Sequence, residues 1–241
     1  MDTDTDTDTD TDTDTPATAA EPGAGPTAAP FGDDDPRMAF ARAVGTARQV
    51  IGAVEPDHLD RPTPCDAFDV RELLAHLTAV LRRVAVIGGG GSPFEVPDQV
   101  TDVADDGWAE AWVAAAHAVQ GVWTDDVLDR SVQVPWRPMS GREALGIYTC
   151  EVTVHTWDLA RAIDQEVDWD PLAVAAGEAA IRAELPNQGR HEMFEAARAA
   201  MPAEADGWPD PFLAAAPVAV DAPAIDRLVA YNGRPPQWPA S

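Results

Sequence analysis

Residues 140 to about 164 read as one long helix, and that helix sets a carboxylate and an imidazole one turn apart in apolar surroundings. Ser140-Gly-Arg-Glu143 is a capping-box pattern, in which the Ser oxygen accepts from an amide of the first turn while the Glu side chain reaches back to the Ser amide. Glu151-Val-Thr-Val-His155 follows, and side chains four residues apart lie one above the other on the same helical face. Ile147, Val152, Val154 and Leu159 make this part of the helix largely buried. A buried carboxylate is costly unless a cation, a proton or hydrogen bonds answer it. The chain must therefore pack this helix against others that supply the answer.

Three more segments have helical spacing. Phe40, Val44, Ala47, Ile51 and Val54 predict a helix over about 36–54. Asp69 caps a second, whose stripe Leu73, Leu74, Leu77, Val80, Leu81 and Val84 runs to about Ile87 and ends at Gly88 to Gly91. A third spans about Ala104 to Trp123, with Trp108, Trp112, Ala115 and Val119 inward. Val132-Gln-Val-Pro-Trp136 alternates and reads as a short strand or extended connection. Beyond Asp164 the pattern gives helices near 171–184, 190–200 and 224–231, with an extended Val218-Ala-Val220. The expected fold is mainly α: four helices joined by a long crossover, followed by a helical (α+β) C-terminal extension.

His76 lies on the apolar stripe of the second helix. A lone histidine there is usually a core residue satisfied by a carbonyl or carboxylate. Beside Glu151 and His155 it has a second reading, as third ligand of a divalent metal in a site that keeps coordination positions open. A third reading has Glu151 merely accepting hydrogen bonds from His76 and His155. Asp158 stands three residues from both His155 and Arg161. An intrahelical pair with Arg161 is the expected role, with support of the His155 ring as the alternative. Cys150 points about 100° away from Glu151 and reads as a small buried residue, and Cys65 as structural. His58, His117 and His191 lack metal-like partners in the sequence and read as surface or helix-face residues.

Composition narrows the rest. The net charge is −26, but eleven of the 42 acidic residues precede Arg37, most of them in an Asp-Thr repeat. Residues 1–34 are too poor in apolar surface to offset ordering entropy and read as a disordered acidic tail. The folded part divides into 35–164, the helical unit, and 165–241, an extension packed on it. It too is acidic, which argues against nucleic-acid binding. All sixteen basic residues are Arg, so mechanisms that need a lysine are excluded. Two cysteines without a CxxC pair suggest no disulfide scaffold. No apolar run approaches the ~18 residues of a membrane span, and the acidic N-terminus is unlike a signal peptide; a soluble cytoplasmic protein is expected.

Two stretches taken together resemble a known family. Thr63-Pro-Cys-Asp-Ala-Phe-Asp-Val-Arg-Glu-Leu-Leu-Ala-His76-Leu and Glu151-Val-Thr-Val-His155-Thr-Trp-Asp-Leu-Ala-Arg161 are similar to the mycothiol-dependent maleylpyruvate isomerase metal-binding domains of the DinB-like superfamily. Ala222-Pro-Ala-Ile-Asp-Arg-Leu-Val-Ala-Tyr-Asn-Gly-Arg234 resembles the C-terminal segment of one branch. Phe68 departs from the Trp that family members often carry, and the acidic repeat is not part of the pattern. The resemblance implies a DinB-like four-helix bundle with a divalent metal, usually zinc, held by His76, Glu151 and His155. It also implies a low-molecular-weight thiol such as mycothiol as cosubstrate. The function expected from it is a metal-dependent thiol S-transferase or isomerase acting on a small-molecule thiol and an electrophile. The alternative is a metal-binding regulatory or sensor module without catalysis. Arg82, Arg83, Arg142 and Arg227 are candidates for holding a carboxylate or sugar group.

Overall fold

The computed structural model describes Met1, Gly32 and residues 34–199 and 213–238. The acidic tail expected over residues 1–34 falls almost wholly outside the described residues.

The fold is mainly helical, with one small sheet. Helix α1 (Pro36–Ile51) starts where Asp35 accepts from the Arg37 amide and Pro36 supplies a preset φ. It buries Phe40, Ala43, Ala47, Val50 and Ile51 and stops three residues short of the expected Val54, at a Gly52 cap. Helix α2 (Val70–Gly88) begins with a complete capping box between Asp69 and Glu72, and Leu73, Leu74, Leu77 and Leu81 are fully buried on its inner face. Each such leucine contributes about 1.5–3 kcal/mol of burial free energy. Helix α3 (Trp108–Val119) is shorter at both ends than its apolar pattern suggests. Ala104 to Gly107 form a turn instead, closed by the Gly107 amide on the Ala104 carbonyl at 2.8 Å. Trp123 folds back beyond the helix to donate its indole N–H to the Val84 carbonyl at 3.1 Å. Trp112 ties α3 to α1 in the same way, donating to the Val44 carbonyl at 3.2 Å.

After the single-turn α4 (Asp125–Asp129), the alternating segment becomes strand β1 (Ser131–Val134), paired antiparallel with β2 (Arg137–Ser140) in the register Ser131 to Ser140. The second strand has no alternation of its own and exists through its partner. Helix α5 (Gly141–Ala162) opens with the complete Ser140–Glu143 capping box. It packs against α1, α2 and α6 (Pro171–Glu184), so nearly every residue from Ala144 onward is buried. Its buried threonines are satisfied locally. Thr149, Thr153 and Thr156 donate to the carbonyls of Leu145, Thr149 and Val152 at 2.7, 2.7 and 2.6 Å.

Helices α7 (Arg190–Arg198) and α8 (Ala224–Tyr231) complete the described elements, α8 packing on α6 and α5. Residues 218–220 pair with no strand, so the described part of the extension is helical without the expected β component. Among the described residues no helix is long and apolar enough to cross a membrane.

Candidate metal centre

Helix α2 brings His76 to the face of α5 that carries Glu151 and His155. One ligand atom from each of the three lies within 4.8 Å of the others. His76 Nε2 is 3.5 Å from Glu151 Oε1. The two imidazoles meet edge to face, with centroids 5.0 Å apart. Both histidines are more than nine-tenths buried, at 7% and 8% exposure.

The other ring nitrogens are held from behind. His76 Nδ1 lies 2.9 Å from the Asp98 carbonyl oxygen and 3.3 Å from Asp98 Oδ1. A carbonyl only accepts, so this nitrogen donates and carries the proton. His155 Nδ1 lies 3.0 Å from Oδ2 of the fully buried Asp158. Arg234 then donates to Asp158, from Nη2 at 3.1 Å and from Nε at 3.3 Å to both oxygens. Burial works against the charge of Asp158, but Arg234 and then His155 outweigh it and hold the carboxyl below its ordinary range. An ionised Asp158 accepts the His155 Nδ1 proton and leaves Nε2 with a free lone pair. This carboxylate–histidine arrangement is the one that orients metal-binding imidazoles.

The titration of the two histidines differs. Burial pulls His76 down, but Asp98 and Glu151 on either side outweigh it and raise it to about 9. His155 is lowered, chiefly by burial and also by His76, against the pull of Asp158. Without a cation, the site therefore balances its carboxylates with a proton on His76.

A cleft of about 550 Å³ opens over these ligands, with Cys65, Phe68, Arg83, Trp136, Tyr148 and Arg234 among its walls. Phe68 stacks on the His76 ring at 4.9 Å and 29°, covering one side of it. Burial pushes the Cys65 thiol up, so it is not an activated nucleophile. A second cleft of about 450 Å³, between α1 and α3, is mostly apolar; His117 lies on it.

Several sequence expectations change here. Asp158 pairs with His155 and Arg234 rather than with Arg161, whose guanidinium reaches the Trp238 carbonyl instead. Three of the four candidate arginines lie away from the cleft: Arg82 pairs with Asp102, Arg142 with Asp129 and Arg227 with Glu178. Arg83 alone of the four lines the cleft, donating to the Pro97 carbonyl at 3.0 Å. His191, read as a surface residue, is exposed and yet stands on the cleft wall. His58 Nδ1 accepts from the Glu55 amide at 3.1 Å, which is a local turn contact. Cys150 faces Asn232 and is pushed by burial up to about 12, as a small core residue would be. Asp98 carries no signal in the sequence, because it reaches the site only through tertiary packing, whereas Tyr148 lies one turn before Glu151 on the same face of α5.

Residues 40–160 match the family model described as the mycothiol maleylpyruvate isomerase N-terminal domain. Two uncharacterized proteins of Mycobacterium tuberculosis, from strains CDC 1551 / Oshkosh and ATCC 25618 / H37Rv, are each 29% identical over 202 residues. The aligned region covers 83% of this chain and 98% of each relative. No solved structure matches.

Proposed function

This chain belongs to the mycothiol maleylpyruvate isomerase N-terminal domain family, and from that premise we propose that His76, Glu151 and His155 hold a divalent metal, zinc by preference, for chemistry on a low-molecular-weight thiol of the mycothiol type. The observation that carries the reading is the meeting of three ligand atoms within 4.8 Å, with each histidine pinned through Nδ1. Two imidazoles and one carboxylate suit zinc and leave coordination positions for a thiol or substrate. The metal-binding unit is a DinB-like four-helix arrangement over residues 35–164, and residues 165–241 form an extension that contributes Arg234.

A divalent cation in this position would lower the pKa of a bound thiol, giving thiolate at neutral pH for an S-transferase or isomerase reaction. The protein's own groups prepare for that. Asp98 and Asp158 fix the two imidazoles, Phe68 shields His76 from water, and Arg83 and Arg234 pair with those two carboxylates. The small-molecule partners are a thiol and an electrophile, and the compartment is the cytoplasm.

The raised His76 supports one competing reading, in which the imidazolium alone answers Glu151 and the cluster is structural. Thiol consumption separates the two. Zinc-loaded protein, given mycothiol and a panel of electrophiles, is expected to consume thiol faster than buffer, and chelation or His155→Ala should abolish the excess. Full activity in metal-stripped protein rules the proposal out.

A further inference from the structure

The second cleft, between α1 and α3, lies outside the candidate metal centre and shares none of its ligands. Its α1 wall is one helical face, formed by Arg37, Ala41, Val44 and Arg48 in steps of three and four residues. At a rise of about 1.5 Å per residue that face is about 16 Å long. Across it stand Val113, Ala116 and His117 of α3, over a floor that includes the buried Phe40, Trp112 and Trp123. About 450 Å³ spread along such a length makes a narrow slot with apolar and aromatic walls. Small-molecule sites have this size and lining, whereas a partner helix, about 10–12 Å across, needs a wider groove.

Charge separates this slot from the rest of the molecule. The chain has 42 acidic residues, yet none of the described residues lining the slot is acidic. Helix α1 carries three arginines, and two of them are answered: Arg37 pairs with Asp35 and Asp125, and Arg42 with Asp170. Arg48, at the far end of the slot from Arg37, has no ion-pair partner among the described residues. The slot therefore ends on an unneutralised guanidinium, which binds a carboxylate with paired N–H donors.

We propose that the cleft between α1 and α3 binds a straight-chain carboxylate of medium length, with its alkyl body along Val44 and Phe40 and its head on Arg48. The narrow apolar slot selects a chain over a ring, and Arg48 selects an anion over a cation. This site is independent of the metal reading.

Decanoate binding by calorimetry tests it in the full-length protein as purified, with decyltrimethylammonium as the cation of the same chain length. One decanoate per chain is expected, bound at least tenfold more tightly than the cation. Ala41→Trp and Ala116→Trp, which fill the slot from its two walls, should each weaken decanoate at least tenfold, and Arg48→Glu about tenfold. His155→Ala should leave its affinity unchanged. Thermal unfolding and zinc stoichiometry check that the slot variants are folded, and Ala41 is exposed, so at least that substitution has room at the surface. No saturable binding, affinity that survives both tryptophans, equal affinity in Arg48→Glu, or loss in His155→Ala overturns the proposal. A wild-type dimer that Ala41→Trp breaks, with no decanoate bound, gives the face to a second copy of the chain and overturns it as well.

Discussion

Arg234 donates to the buried carboxylate of Asp158 across 76 residues of sequence, and that carboxylate in turn accepts from the His155 ring. Arg234 follows α8 by three residues and is itself 5% exposed. A charged pair this deep is held by mutual neutralisation and good geometry rather than by solvent. The end of the chain thus sets the orientation of an imidazole on α5, and the extension after residue 164 forms part of the candidate centre.

Asp158→Asn tests that link. The amide keeps the shape, loses the charge that fixes His155 and leaves Arg234 buried without its counterion. Zinc affinity measured by chelator competition should fall about 10–100-fold, and denaturant unfolding should show a loss of about 3–5 kcal/mol. Unchanged zinc affinity would mean that the contact to Nδ1 is incidental.

The pH dependence has a definite sign. His76 is raised from 6.5 to about 9 in the metal-free protein, so its contribution to stability is fully present below 6.5 and is lost as pH rises through about 9. A metal must displace the same proton. Apparent zinc affinity should therefore climb about tenfold per pH unit from neutrality and level off near pH 9. Calorimetry in buffers of different ionisation heat should detect one proton released per zinc at pH 7; none released would place the proton elsewhere.

The start of α5 allows no side chain. A Cβ at Gly141 would meet the Val127 carbonyl oxygen at 2.1 Å, a backbone atom that cannot swing aside. Gly141→Ala should cost more than about 2 kcal/mol by denaturant unfolding, whereas Gly45→Ala, whose Cβ meets nothing within 4 Å, should stabilise by up to about 1 kcal/mol. Comparable effects at both sites would contradict the close packing of α4 on α5.

Phe68 covers His76 as a stacked ring. Phe68→Trp should keep zinc binding within about threefold, and Phe68→Ala should weaken it and cost about 1–3 kcal/mol as ring packing is lost. Equal zinc affinity for Phe68→Ala and wild type would remove the shielding role.

The sequence carried the helices and the three candidate ligands because these are local signals: capping boxes at Asp69 and Ser140, apolar spacing along α2, and the four-residue step from Glu151 to His155. What it did not carry is what tertiary packing decides. Nothing local distinguishes Arg161 from Arg234 as the partner of Asp158, and the nearer one was the natural expectation. Nothing in Pro97-Asp98 announces the carbonyl that fixes His76. Helix α3 is shorter than its apolar pattern because Trp123, which continues that pattern, closes its indole onto α2 from beyond the helix. The strand β2 depends on β1 for its pairing and has no pattern of its own.

The most direct test is elemental analysis of the full-length protein purified without chelator, alongside His76→Ala, Glu151→Gln and His155→Ala. One divalent metal per chain is expected in the wild type, with each variant reduced to a small fraction of that. Metal-free wild type that cannot be loaded with zinc at pH 8, or a variant that keeps a full equivalent, would contradict the assignment of His76, Glu151 and His155 as a metal centre.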